Sequence, residues 1–134
     1  NEKMSIDYGR YFSEDELKCK ETGECNMNQE FVDKLNLLRD SFGKPLMISS
    51  GFRSTEHSVE KRKANPLGSP HPSGRAVDLL LHGKDAFDFL HLVMQSRLMT
   101  GIGFSQKGNR VSRFIHIDDL EQNQSRPRPH IWSY

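Results

Sequence analysis

Two short apolar segments carry ionisable side chains where charge is expensive. Ala76-Val77-Asp78-Leu79-Leu80-Leu81 reads as a strand with a carboxylate near its centre. Such a group is stable there only if it is paired or bound to a cation. Phe114-Ile115-His116-Ile117-Asp118 reads as a second strand. Its period of two puts Phe114, His116 and Asp118 on one face, so an imidazole and a carboxylate project together. A third group, His71, lies in Ser69-Pro70-His71-Pro72-Ser73-Gly74-Arg75, just before the first of these strands. Any fold for this chain must bury the aliphatic side of both strands and still satisfy these polar groups.

The rest of the chain supplies helices for that purpose. Its 134 residues suit a single domain spanning 1–134 with a core of its own. Ser13-Glu14-Asp15-Glu16 reads as a capping box opening a short helix. Asn28 caps a second helix with an apolar stripe of Phe31, Leu35, Leu38 and Phe42, which Gly43 stops before Pro45. Leu46-Met47-Ile48 is a short strand, and Ser49 to Pro70 is a long Ser-, Gly- and Pro-containing loop of the kind that carries function. Lys84 to Leu98 is a helix with Phe87, Leu90, Met94 and Leu98 on its inner face. Thr100 to Phe104 and the strand at Phe114 flank the polar turn Gln106 to Arg110. From Glu121 the tail is polar and Pro-rich until Ile131-Trp132-Ser133-Tyr134. Strands and helices mix without a strict βαβ rhythm, which gives an α+β class.

Charge narrows the function classes. A net charge of +1 supplies no field for nucleic acid, and no basic stripe alternates with aromatics. No apolar run is long enough to span a bilayer, and no basic amphipathic helix suits a membrane surface. The expectation is a monomer that binds neither nucleic acid nor membrane. No segment has the form of a signal peptide. Cys19 and Cys25 suit either a small disulfide loop or two free thiols.

Two histidines and one carboxylate make a catalytic zinc set with a fourth position left for water. Nitrogen and oxygen donors suit zinc better than calcium or magnesium. The same residues have a plainer use: Asp78 as the partner of Arg75 or Arg53, and His116 as a satisfied core histidine.

The segment Ser-x-His-x-x-Gly-x-Ala-x-Asp at Ser69 to Asp78, followed by the strand His-x-Asp at His116 to Asp118, resembles the zinc D-alanyl-D-alanine carboxypeptidase-like peptidases. Ser49-Ser50-Gly51-Phe52-Arg53-Ser54 is similar to that family's Ser-Gly-Tyr-Arg-Ser segment. Within the family the chain looks like the small phage and prophage members that act as cell-wall lysis or tail proteins. The resemblance implies a hedgehog/DD-peptidase-like fold, a small antiparallel sheet flanked by helices. It implies Zn2+ held by His71, Asp78 and His116, with Arg53 stabilising the oxyanion. It also implies hydrolysis of a peptidoglycan stem peptide bond with zinc-activated water as nucleophile, by a DD-carboxypeptidase or an endolysin-type endopeptidase. Ser69 and His57 are the substrate-binding candidates. A phage-type member would stay cytoplasmic until released to the wall.

One departure stands out. The family's acid a few residues before the last zinc histidine is missing: Arg110, Val111, Ser112, Arg113, Phe114 and Ile115 occupy that stretch. Asp118 is the substitute base, or else the group that orients a ligand. Asp119 should point to the opposite face, and His130 is a tail histidine. The missing acid also admits a second class of function, a non-catalytic zinc-containing cell-wall binding or structural module.

Overall fold

A computed structural model describes residues 5–63 and 68–134. The elements run α1 (Glu14–Leu17), α2 (Gln29–Phe42), β1 (Met47–Ser50), α3 (Ser58–Lys61), β2 (Ala76–Leu80), α4 (Gly83–Ser96), β3 (Gly101–Ser105), β4 (Phe114–Asp118) and β5 (His130–Ser133). Short 3-10 turns cover His71–Ser73 and Arg110–Ser112.

The helix signals in the sequence act as expected. The Ser13 hydroxyl accepts from the Glu16 N–H, the N-cap half of the expected capping box, and donates to the Glu16 carboxylate. The Asn28 side chain accepts from the Phe31 N–H, and Gly43, at φ 74°, ends α2 by donating to the Arg39 carbonyl. The long segment from Ser49 to Pro70 is only partly a loop: it contains the end of β1 and all of α3, while residues 64–67 lie outside the described residues.

The expected face of α4 is corrected in part: Leu90 and Leu98 pack against the core, but Phe87 and Met94 do not. Ala86, Phe89 and Val93 are buried, whereas Phe87 is 75% and Met94 55% exposed. The helix is apolar on more than one side, so pattern alone does not choose its inner face. Packing does: Phe89 meets Phe42 of α2 edge-to-face at 5.4 Å between ring centres. The helix also stops short of Leu98, because Arg97 adopts a left-handed φ of 56°.

The five strands form one sheet in the order β1-β2-β4-β3-β5. The first four are antiparallel neighbours, as expected, but β5 runs parallel to β3, so the sheet is not wholly antiparallel. The tail leaves β4 at Asp118, passes over the end of β3 and pairs along its outer edge.

Strand alternation then sorts the sheet into two faces. Val77, Leu79, Ile102, Ile115 and Ile117 join Phe31, Val32, Leu35, Leu38, Phe89 and Val93 of the helices in one core cluster. The opposite face carries a cross-strand row. Ser50 pairs with Asp78, Asp78 with His116, His116 with Gly103, and Gly103 with Trp132. One register therefore lines up polar side chains from three strands, a glycine on the fourth and an aromatic ring on the fifth. Among the described residues no helix is long and apolar enough to cross a membrane.

Candidate metal centre

Asp78 sits at the middle of that row. His116 comes to it from the neighbouring strand, and His71 from the 3-10 turn that precedes β2. Gly74 makes this turn feasible: its φ is 74°, and a Cβ there would strike the Asn26 carbonyl oxygen. Its own carbonyl accepts from the Asn28 N–H at 2.9 Å, which ties the turn to the start of α2.

The ring nitrogens are sorted by their partners. His71 Nδ1 donates to the Gly51 carbonyl at 2.8 Å, and its Nε2 lies 3.3 Å from Asp78 Oδ1. His116 Nε2 donates to Asp118 Oδ2 at 2.8 Å, so its Nδ1 is the nitrogen 2.9 Å from the same Asp78 oxygen. Two imidazole nitrogens thus converge on one carboxylate oxygen. The three ligand atoms lie within 4.8 Å of one another, and all three residues are buried. The donor set fits zinc: each histidine turns one nitrogen toward Asp78, available to a metal once it has shed its proton, while its other nitrogen is held by an oxygen acceptor.

The electrostatics follow from this packing. Burial opposes ionisation of Asp78, but hydrogen bonds from His116 and His71 prevail and hold its pKa well below the carboxylate range. Burial likewise opposes charge on His116, and its bonds to Asp118 and Asp78 overcome this and raise its pKa. The Asp118 pKa is lowered to about 2: burial resists, and the bonds from His116 and Arg128 prevail.

The plainer partnerships considered from sequence are now distinguishable. Arg75 does not serve Asp78. Its Nε and Nη2 donate to Asp119 at 2.8 and 2.9 Å, and Lys34 joins them at 2.9 Å. Asp119 thus faces away from the triad, as the strand period required. Arg53 does approach Asp78, with Nη2 3.7 Å from Oδ2, too long for a hydrogen bond. Its other atoms are fixed: Nε donates to Ser50 Oγ at 2.9 Å and Nη1 to Glu60 Oε2 at 3.1 Å.

The remaining expected residues spread around this centre. His57 caps α3 through Nδ1 and lies 2.8 Å from Glu21 through Nε2. It lines a small cleft of about 130 Å³ with Ser50, Gly51, Phe52 and Arg53. Ser69 Oγ accepts from Lys63 Nζ at 2.7 Å. Asp118 has both oxygens engaged, by His116 and by a two-pronged Arg128. His130 is exposed and stacks on Trp132 at 5.6 Å. Cys19 and Cys25 are both free thiols.

Three features escaped the sequence reading. Glu60 is a buried acid whose carboxylate accepts from Arg53 and Lys63, yet in sequence it is one more charge in a polar stretch. Arg128 reaches the site from the polar tail. Gly103 keeps the floor of the row open, since a Cβ there would strike the Trp132 indole. Glycine inside a strand, in register with His116, was a usable signal for such close approach.

His71, Asp78 and His116 thus form a buried group that could hold a metal ion, on the sheet face opposite the main core. The family description "Peptidase M15" matches residues 10–118, and the chain belongs to that family of zinc peptidases. Searches of curated proteins and of solved structures found no match. The matched stretch ends at Asp118, so Arg128, Trp132 and the rest of β5 lie beyond it.

Proposed function

We propose that the chain cleaves a peptide bond in the stem peptide of bacterial peptidoglycan, as a D-Ala-D-Ala carboxypeptidase or an endolysin-type endopeptidase. The observation that carries this reading is the buried His71, Asp78 and His116 cluster, in which one ring nitrogen of each histidine faces the same carboxylate oxygen. The likeness of Ser69 to Asp78 and of Ser49 to Ser54 to the carboxypeptidase segments supports the choice of substrate.

In this reading His71 Nε2, His116 Nδ1 and Asp78 hold a zinc ion. Zinc bound there would supply a water of pKa roughly 7 and a Lewis acid for the scissile carbonyl. Arg53 donates to the carbonyl oxygen as negative charge develops on it. Its guanidinium is fixed beforehand by Ser50 and Glu60, so little reorganisation accompanies the reaction. Asp118 acts by holding His116 rather than by moving protons, because both its oxygens are already bonded. His57 borders the cleft beside Arg53 and contacts the substrate there. Ser69, anchored to Lys63, forms the wall next to His71.

The engagement of Asp118 also favours a second reading, a zinc-containing module that binds cell wall without cutting it. Digestion of purified peptidoglycan by the zinc-loaded protein, followed by mass spectrometry, separates the readings. Loss of a terminal D-alanine identifies a carboxypeptidase, and shorter stem fragments identify an endopeptidase. Zinc-loaded protein that binds the polymer and releases nothing refutes the enzyme reading. Loss of any cleavage in His71→Ala ties the activity to the triad.

A further inference from the structure

We propose that Arg128 is a positioning residue for the metal centre, acting on His116 through Asp118 and Trp132. This inference rests on the reading of His71, Asp78 and His116 as a zinc site.

The first link is a two-pronged ion pair. Arg128 Nε donates to Asp118 Oδ1 at 2.9 Å, and Nη2 donates to Oδ2 at 2.8 Å. The Arg128 side chain is 5% exposed and that of Asp118 0%, so solvent does not loosen the pair. A fork of this kind fixes the plane of a carboxylate as well as its charge. The second link passes that plane on. Asp118 Oδ2 also accepts from His116 Nε2, so the carboxylate decides where the ring points. The other ring nitrogen, Nδ1, is thereby aimed at Asp78.

A parallel contact leads to the same ring. The Arg128 guanidinium lies 5.0 Å from the centre of the Trp132 ring. Trp132 in turn packs against His116 at 5.3 Å. Gly101 makes room for this arrangement, because a Cβ there would strike the Asp118 carboxylate and lie 2.6 Å from Arg128 Nε. Gly101 and Gly103 are the β3 partners of Asp118 and His116, so β3 presents no side chain under either group.

There is a charge argument as well. Asp78 and Asp118 both contact His116 and are both buried. Without a fixed cation, Asp118 would add a second uncompensated carboxylate to an apolar setting. Arg128 neutralises it from the side away from Asp78. A lysine would bring the charge but not the fork.

The test measures zinc affinity by chelator competition for the parent, Arg128→Met, Arg128→Lys, Asp118→Asn and the Arg128→Met/Asp118→Asn double variant. Loss of a partner that orients a ligand typically lowers metal affinity about 10- to 100-fold. Arg128→Met is expected in that range, with Arg128→Lys recovering only part. The double variant should bind zinc about as weakly as the worse single one, since the two residues act in one chain. The Nε2 chemical shift of His116 in metal-free protein should move in Arg128→Met, reporting a loosened hydrogen bond to Asp118. Affinity within twofold of the parent, or effects that add in the double variant, would overturn the proposal. If Arg128→Met does not fold, Arg128→Lys decides alone, and parent-like affinity there overturns it. A parent that takes up no zinc fails differently: it removes the zinc reading itself, and this inference with it.

Discussion

Replacing Glu60 by glutamine keeps the shape of the side chain and removes its charge. Glu60 is 0% exposed and accepts from Arg53 Nη1 at 3.1 Å and from Lys63 Nζ at 2.9 and 3.1 Å. Breaking a fully buried ion pair costs roughly 3–5 kcal/mol. Here the partners reach water, since the Arg53 and Lys63 side chains are 21% and 40% exposed. Solvent therefore recovers part of the loss, and about 2–3 kcal/mol of stability should disappear. The same change frees one side of Arg53, leaving its bond to Ser50 and the longer approach to Asp78. An oxyanion donor that must reorganise is a weaker one, so kcat should fall about tenfold, which corresponds to about 1.4 kcal/mol. KM should change little. Urea denaturation of the zinc-loaded protein reads the first effect and steady-state hydrolysis of a stem peptide the second. A stability change under about 0.5 kcal/mol with kcat intact would refute the claim that Glu60 clamps Arg53.

Two other perturbations test separate parts of the account. The raised pKa of His116 in the metal-free protein stabilises the fold below the unfolded value of about 6.5, and this contribution is lost as pH rises through the higher folded value. Zinc must displace that proton, so zinc affinity should rise with pH through the same range, by up to about tenfold per unit, and affinity that stays flat would contradict the ligand assignment. Gly103→Val should push Trp132 off His116 and shift tryptophan fluorescence to longer wavelength, whereas an unchanged spectrum would mean that β5 does not pack as described.

Much of the centre was legible from sequence because single-strand alternation is a strong constraint. His116 and Asp118 share a face by counting residues, Asp78 is marked by its charge within an apolar strand, and the sheet register brings them together. The second helix was equally readable, since Asn28 and Gly43 mark its ends chemically. The inner face of α4 was not. Its apolar residues surround the axis, and only the position of Phe42 selects Phe89 over Phe87. β5 was invisible for another reason. Its pairing with β3 is parallel and long-range, and the segment before it reads as a polar linker. Arg128 and Glu60 share that difficulty, because a charged residue in a polar stretch gives no local sign that its partner is buried.

The central claim is that His71, Asp78 and His116 form a zinc site. Native mass spectrometry of the purified protein incubated with zinc, beside His71→Ala and Asp78→Ala, tests it most directly. One tightly held zinc in the parent and none in either variant is the predicted result. No zinc in the parent, or equal zinc in all three, would show that the cluster is only a hydrogen-bonded piece of the fold.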